Sequence, residues 1–269
     1  MVHCENHRRD GQNSDVHEPT PRRSESESLT FQWDPLQYPF DVPSQSFTWS
    51  AGRVDSVSSF RRLDEMSAGR HPILAIGSNA SPAQLTRKFD DIRFADPSSP
   101  ESSIPVLTAV VDDVDVVYGA HLAWYGSLPA TLLDTTGARA HVFITWLTDL
   151  QMERMNETEG LGHAYQLRST VGVRCHGREV GSALSYVTVD GVCLLGGDPL
   201  GLAAISAPGS RRPRATQQQA WDQLALDMDC DVDGAALLGR VLDAENWRER
   251  VEAHLAANRL PEAQEPLEL

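Results

Sequence analysis

Lysine is almost missing from this chain of 269 residues: Lys88 is the single one among 23 Lys and Arg. Arginine carries the rest of the positive charge, an imbalance that reads as coding bias rather than function. Positive charge as a whole is also short. The formal net charge of −15 argues against nucleic acid as a partner, because gripping phosphates needs clustered Lys and Arg. It suits a soluble chain that repels its own kind. Cysteine is scarce too: Cys4, Cys175, Cys193 and Cys230 form no CxxC and no Cys/His pair at zinc spacing. No metal and no cofactor are expected. A run of about 18 apolar residues is absent, which argues against a membrane-spanning helix. The opening MVHCENHRRDGQNSD has no apolar centre and is no secretory signal. A cytoplasmic location with reduced thiols is the expectation.

What is present is enough for a substantial core, with 41% hydrophobic residues. Residues 1–30, including SESES at 24–28, are too polar to bury much and are expected to form a disordered leader. Residues 31–66 begin as an arm, FQWDPLQYPFDVPSQSFTW, whose aromatic rings pin it to the domain while its prolines break other structure. A folded domain is expected over 67–205. An acidic helical extension follows over 206–269, and its helices offer a surface for a protein partner.

The pattern of elements is mixed. Phe60–Met66 reads as a short helical turn, and HPILAIGSNASPAQL at 71–85 as a buried strand, a tight turn and a helix start. There Ser81 and Gln84 form a capping box around Pro82. Ile104–Tyr118 reads as two strands joined by an acidic bend, Thr135–Gly137 as a turn, and Ala140–Leu147 as a strand with alternating faces. Thr148 with Gln151, and Thr216 with Gln219, mark two further helix starts. Tyr165–Arg174 and Val180–Val189 read as strands around a turn, and Gly234–Asn258 as one long helix. These elements place the chain in the α+β class.

Two places carry candidate chemistry. The turn Gly77-Ser78-Asn79 presents backbone amides and short polar groups in front of a helix N-terminus, which suits a carboxylate or another small polar group. A plain strand–turn–helix joint would look the same. On the helix that starts at Thr148, the 3.6-residue period puts Glu159 on the side of Met152 and Met155 and Glu157 on the other. A carboxylate on that apolar side loses hydration, which raises its pKa toward the range useful for proton transfer. A solvated last-turn acid is the plain alternative. Asp229–Gly234 resembles the opening of a calcium loop, but Arg240 stands where the bidentate Glu is needed, so Asp233 reads as a helix cap. His121, His163 and His176 show no HxxxH spacing, and Ser78 has no nucleophile elbow.

Taken together, Gly77-Ser-Asn79 after a strand, the strands between Val106 and Tyr118, Pro129-Ala-Thr-Leu132, Val142-Phe-Ile-Thr-Trp146 and Met155-Asn-Glu-Thr-Glu159-Gly160 resemble the γ-glutamylcyclotransferase-like family, over about residues 71–190. The resemblance implies a small mixed β-barrel with flanking helices; the aromatic arm and the helical C-terminal extension lie outside the matched residues. It implies that Ile76-Gly77-Ser78-Asn79 holds a γ-glutamyl group, that Glu159 is the general acid/base, and that Tyr165 lines the pocket. The family's loop carries Tyr where this chain has Ile76, and Tyr125, near the Gly126 bend, is the candidate for the missing hydroxyl. The implied activity is attack of a substrate's own amine on its γ-carbonyl, on a small γ-glutamyl or related conjugate. The other reading is a non-catalytic binding or interaction module that uses the same pocket.

Overall fold

In a computed structural model of the chain, residues 33–57, 63–91, 94 and 96–261 are described. The expected leader, and residues 60–62 of the expected helical turn, lie outside them. Of that turn, α1 (Leu63–Ser67) is described.

The long Val-rich strands set the architecture. β4 (Ser103–Tyr118) and β5 (Ala130–Leu147) pair antiparallel along most of their length, and β5 pairs with β3 (His71–Ala75). β3 then runs parallel to β7 (Arg178–Thr188), β7 pairs with β6 (Tyr165–Cys175), and β6 returns to β4. The circuit β4-β5-β3-β7-β6 is therefore a closed five-strand mixed barrel, which leaves none of its strands with a free edge. Period-2 alternation decides what fills it: Val142, Ile144 and Trp146 point into the core, while His141 on the opposite face is exposed.

Two expected breaks are corrected. The acidic bend after Val111 does not divide the strand. It is a β-bulge between Asp112 and Val114, with Asp113 at φ 59°. Opposite it, Thr135–Gly137 is not a turn between strands. β5 continues through it, and the Gly137 amide donates to Asp113 Oδ1 at 2.7 Å. Bulge and opposing residues absorb the irregularity together, so both strands run on.

Around the barrel lie α2 (Pro82–Phe89) and α3 (Asp149–Glu159) on one side, over a second apolar cluster that holds Phe89, Leu147 and Met155. α4 (Gln217–Asp227), α5 (Gly234–Asp243) and α6 (Glu245–Ala257) share the main core through Trp221, Leu237 and Leu255. The expected single helix over 234–258 is two, because Ala244 is extended at φ −146° and breaks the ladder. Asp233 caps α5 by accepting from the Ala236 amide at 2.8 Å. The capping boxes at Thr148 and Thr216 are both formed. That at Ser81 is not: its hydroxyl is buried without a partner, and Gln84 turns instead to Ser78 Oγ at 3.2 Å and the Arg87 Nε–H at 2.6 Å. β1 (Phe47–Ser50) pairs with β2 (Arg53–Ser56) and with β4, which ties the residues after the Pro-rich stretch to the barrel. Among the described residues, no helix is long and apolar enough to cross a membrane.

Candidate functional site

β3 ends at Ala75 and the chain turns through Gly77 into a single 3-10 turn, Ser78–Ala80, before α2 begins. Ser78 and Asn79 open that turn, so their amides are first-turn N–H groups with no acceptor inside it. α3 ends at Glu159 because Gly160 adopts the left-handed conformation, φ 66° and ψ 47°, which favours glycine. The expected phase of α3 is observed. The Glu159 side chain is 12% exposed and that of Glu157 is 62% exposed.

Loop and glutamate meet. Asn79 Nδ2 donates to Glu159 Oε1 at 3.0 Å. Lys88, 2% exposed on α2, donates from Nζ to the same Oε1 in a short contact, to Asn79 Oδ1 at 2.9 Å and to Met155 Sδ at 3.1 Å. All three ammonium protons are thus used, and one carboxylate oxygen accepts two donors. Glu159 is therefore not the solitary desolvated acid of the helical-phase reasoning; it is half of a buried ion pair. Burial lowers the Lys88 pKa, and the adjoining carboxylate opposes that shift.

These groups line a cavity of about 350 Å3, which also holds Ile76, Gly77, Ser78, Tyr125 and Tyr165. Every sequence-predicted site residue therefore lines one cavity. Ile76 is the most apolar of them, buried with the barrel core. Burial, then the charge of Glu159, pushes the Tyr125 phenol up to about 12, while hydrogen bonding with the Ser78 and Ser127 side chains opposes this. Burial also raises the Tyr165 phenol well above its ordinary value, and its ring meets His121 edge to face at 5.2 Å. A larger cavity, about 880 Å3, lies between residues 39–44 and strands β3 to β6 and meets the smaller one at Gly77. Glu159, Asn79 and Lys88 do not line it, so the smaller cavity is the candidate site.

Several lining residues escaped the sequence reading, among them Lys88, Tyr38, Arg87 and Tyr186. Lys88 was visible as the lone lysine, and its spacing of four from Gln84 on a helix was the available signal. Tyr38 was visible only as one ring of the Pro-rich arm. Its hydroxyl accepts from the Ala130 amide at 2.8 Å and packs so close to Gly77 that a Cβ there would lie 2.1 Å from it. Burial raises this phenol far above its ordinary range. Arg87 and Tyr186 had no sequence signal. Tyr186 donates to Asn156 Oδ1 at 2.5 Å and so steadies α3 near its end. Among the described residues, no group of three or more His, Cys, Asp or Glu is placed to hold a metal.

No family model matches this sequence, and no curated protein matches it. Solved structures do. One titled gamma-glutamyl cyclotransferase aligns at 16% identity over 72% of this chain and 90% of that one, with a TM-score of 0.36. An uncharacterized protein from Homo sapiens, loc79017, aligns at 16% over 74% and 93%, also at 0.36. YkqA from Bacillus subtilis aligns at 13% over 81% and 72%, at 0.35. These are similarities of chain course at low identity, and the roles of the site residues rest on their own geometry. Strand order, barrel closure and flanking helices make the chain an α+β fold built on a closed five-strand mixed barrel.

Proposed function

We propose that the chain is an enzyme that releases an amine from a γ-glutamyl or related amino-acid conjugate by intramolecular attack, with Glu159 as the acid/base. The observation that carries this reading is the use of the two carboxylate oxygens. Oε1 accepts from Asn79 and Lys88, which leaves Oε2 with no partner among the described residues, in a cavity walled by the 77–79 turn.

The steps balance on these groups. Glu159 Oε2 takes a proton from the substrate's α-ammonium. The freed amine attacks the γ-carbonyl, and the Ser78 and Asn79 amides receive the developing oxyanion. The ring nitrogen gives its second proton to solvent, the tetrahedral centre collapses with the old C–N bond breaking while the lactam C–N bond persists, and Glu159 returns its proton to the departing amine. Because amine and carbonyl belong to one molecule, the protein's main contribution is to hold the folded-back conformer. Lys88 holds the Glu159 carboxylate through Oε1, and the Tyr125 hydroxyl beside Ser78 supplies the polar contact that Ile76 lacks.

The test is turnover of γ-glutamyl dipeptides and γ-glutamylamines, read as 5-oxoproline. Glu159→Gln should reduce it by about a hundred-fold or more, the range for loss of a general base. Equal turnover by this variant defeats the mechanism. The same ion pair also favours a second reading, a binding module, since it leaves the carboxylate already neutralised. Ligand-induced thermal stabilisation that survives Glu159→Gln, with no product formed, would decide for that module.

A further inference from the structure

Arg87 differs from the other cation of the cavity. Lys88 spends its charge on Glu159, whereas Arg87 also lines the cavity yet has no ion pair among the described residues. Its guanidinium is nevertheless fixed. Nε–H donates to Gln84 Oε1 at 2.6 Å, and the Gln84 amide donates to Ser78 Oγ at 3.2 Å. The Trp33 ring lies under it, with the guanidinium carbon 5.8 Å from the ring centroid. The Nε edge is thus tied back to the 77–79 turn, and the two terminal nitrogens are left as the available donor pair. That planar pair matches the two oxygens of a carboxylate. The cavity therefore offers one fixed anion-binding group in Arg87 and one cation-binding oxygen in Glu159 Oε2, the Lys88 charge being already matched.

We infer that Arg87 is a specificity-determining residue that receives a carboxylate of the bound conjugate, so the site selects ligands that carry a carboxylate together with an ammonium. This rests on the reading of Glu159 given above. The carboxylate has two possible sources: the α-carboxylate of the glutamyl half, or that of a departing amino acid. Both give the same contact.

Steady-state turnover of γ-glutamyl-alanine and of γ-glutamyl-butylamine, by the full chain and its Arg87→Gln and Arg87→Lys variants, tests the inference. Arg87→Gln should raise KM by about ten- to a hundred-fold, as expected for loss of a charged hydrogen-bond pair, with kcat moved less. Arg87→Lys should recover part of the loss. A KM rise for both compounds assigns the contact to the α-carboxylate, and a rise for γ-glutamyl-alanine alone assigns it to the departing half. Unchanged KM for both overturns the role of Arg87 and leaves that of Glu159 standing. If the unmutated chain yields no 5-oxoproline, the Glu159 reading fails, and calorimetric titration with the same two compounds decides on Arg87 alone. Binding weakened by Arg87→Gln sustains the inference. Binding that is unaffected, or absent in the unmutated chain, overturns it.

Discussion

Lys88 and Glu159 are a pair whose members cannot be changed singly without a cost in stability. Both lose hydration in the fold, and each is compensated by the other and by Asn79. Removing one partner leaves an uncompensated buried charge, whereas removing both leaves none. Lys88→Met should therefore destabilise the chain by about 3 kcal/mol in urea unfolding. Lys88→Met combined with Glu159→Gln should be less destabilised than Lys88→Met alone. Additive losses in this cycle would mean that the two residues do not interact. The inward direction of Glu159 was legible because helical phase is a local property, set by a formed capping box at one end and a left-handed Gly160 at the other. Its partner was not legible: α2 and α3 are joined by no local rule, and only packing of the two helices places Lys88 against Met155 and Glu159.

Elements meet at Gly77. This glycine follows β3, and its φ of −145° is negative, outside the left-handed region that favours glycine. What asks for glycine is the Tyr38 hydroxyl, 2.1 Å from where a Cβ would sit, with the Ala130 Cβ 3.2 Å away. Gly77→Ala must displace Tyr38 and with it the hydrogen bond to the Ala130 amide. It should lower the thermal midpoint and weaken binding in the adjoining cavity, while Tyr38→Phe, which removes the blocking oxygen, should make Gly77→Ala milder. Equal damage in both backgrounds would remove Tyr38 as the cause. At this scale the sequence misleads where irregularities are shared between partners. The bulge at Asp112–Val114 and the Gly137 stretch each look like a chain break alone, and they become one continuous pairing only when opposed. Ser81 misleads in the other direction: the capping-box pattern is present, but Gln84 finds better acceptors and donors in Ser78 and Arg87.

For the whole molecule, burial couples stability to pH through His121. Burial lowers its pKa from 6.5 to about 4, against the opposing charges of Asp190 and Glu159, and its Nδ1 is buried without a partner. The unfolded chain therefore binds this proton at higher pH than the folded one does. The stabilising contribution is fully present above pH 6.5, falls as pH drops from there, and levels off near pH 4. Its ceiling is about 3 kcal/mol. Urea unfolding at pH 7.5 and pH 4.5 should show a smaller pH difference for His121→Gln than for the unmutated chain. An identical difference would mean that His121 does not carry the coupling.

By itself the sequence determined the α+β class, the alternation that fills the barrel, the formed caps at Thr148, Thr216 and Asp233, and the inward face that carries Glu159. All of these follow from backbone periodicity and from hydrogen bonds a few residues long. Tertiary structure alone decided that β6 closes on β4, that an N-terminal tyrosine fills the space over Gly77, and that the single lysine neutralises the site's carboxylate. Those outcomes depend on groups distant in the chain competing for the same buried volume and the same protons, and no local pattern encodes which of them will meet.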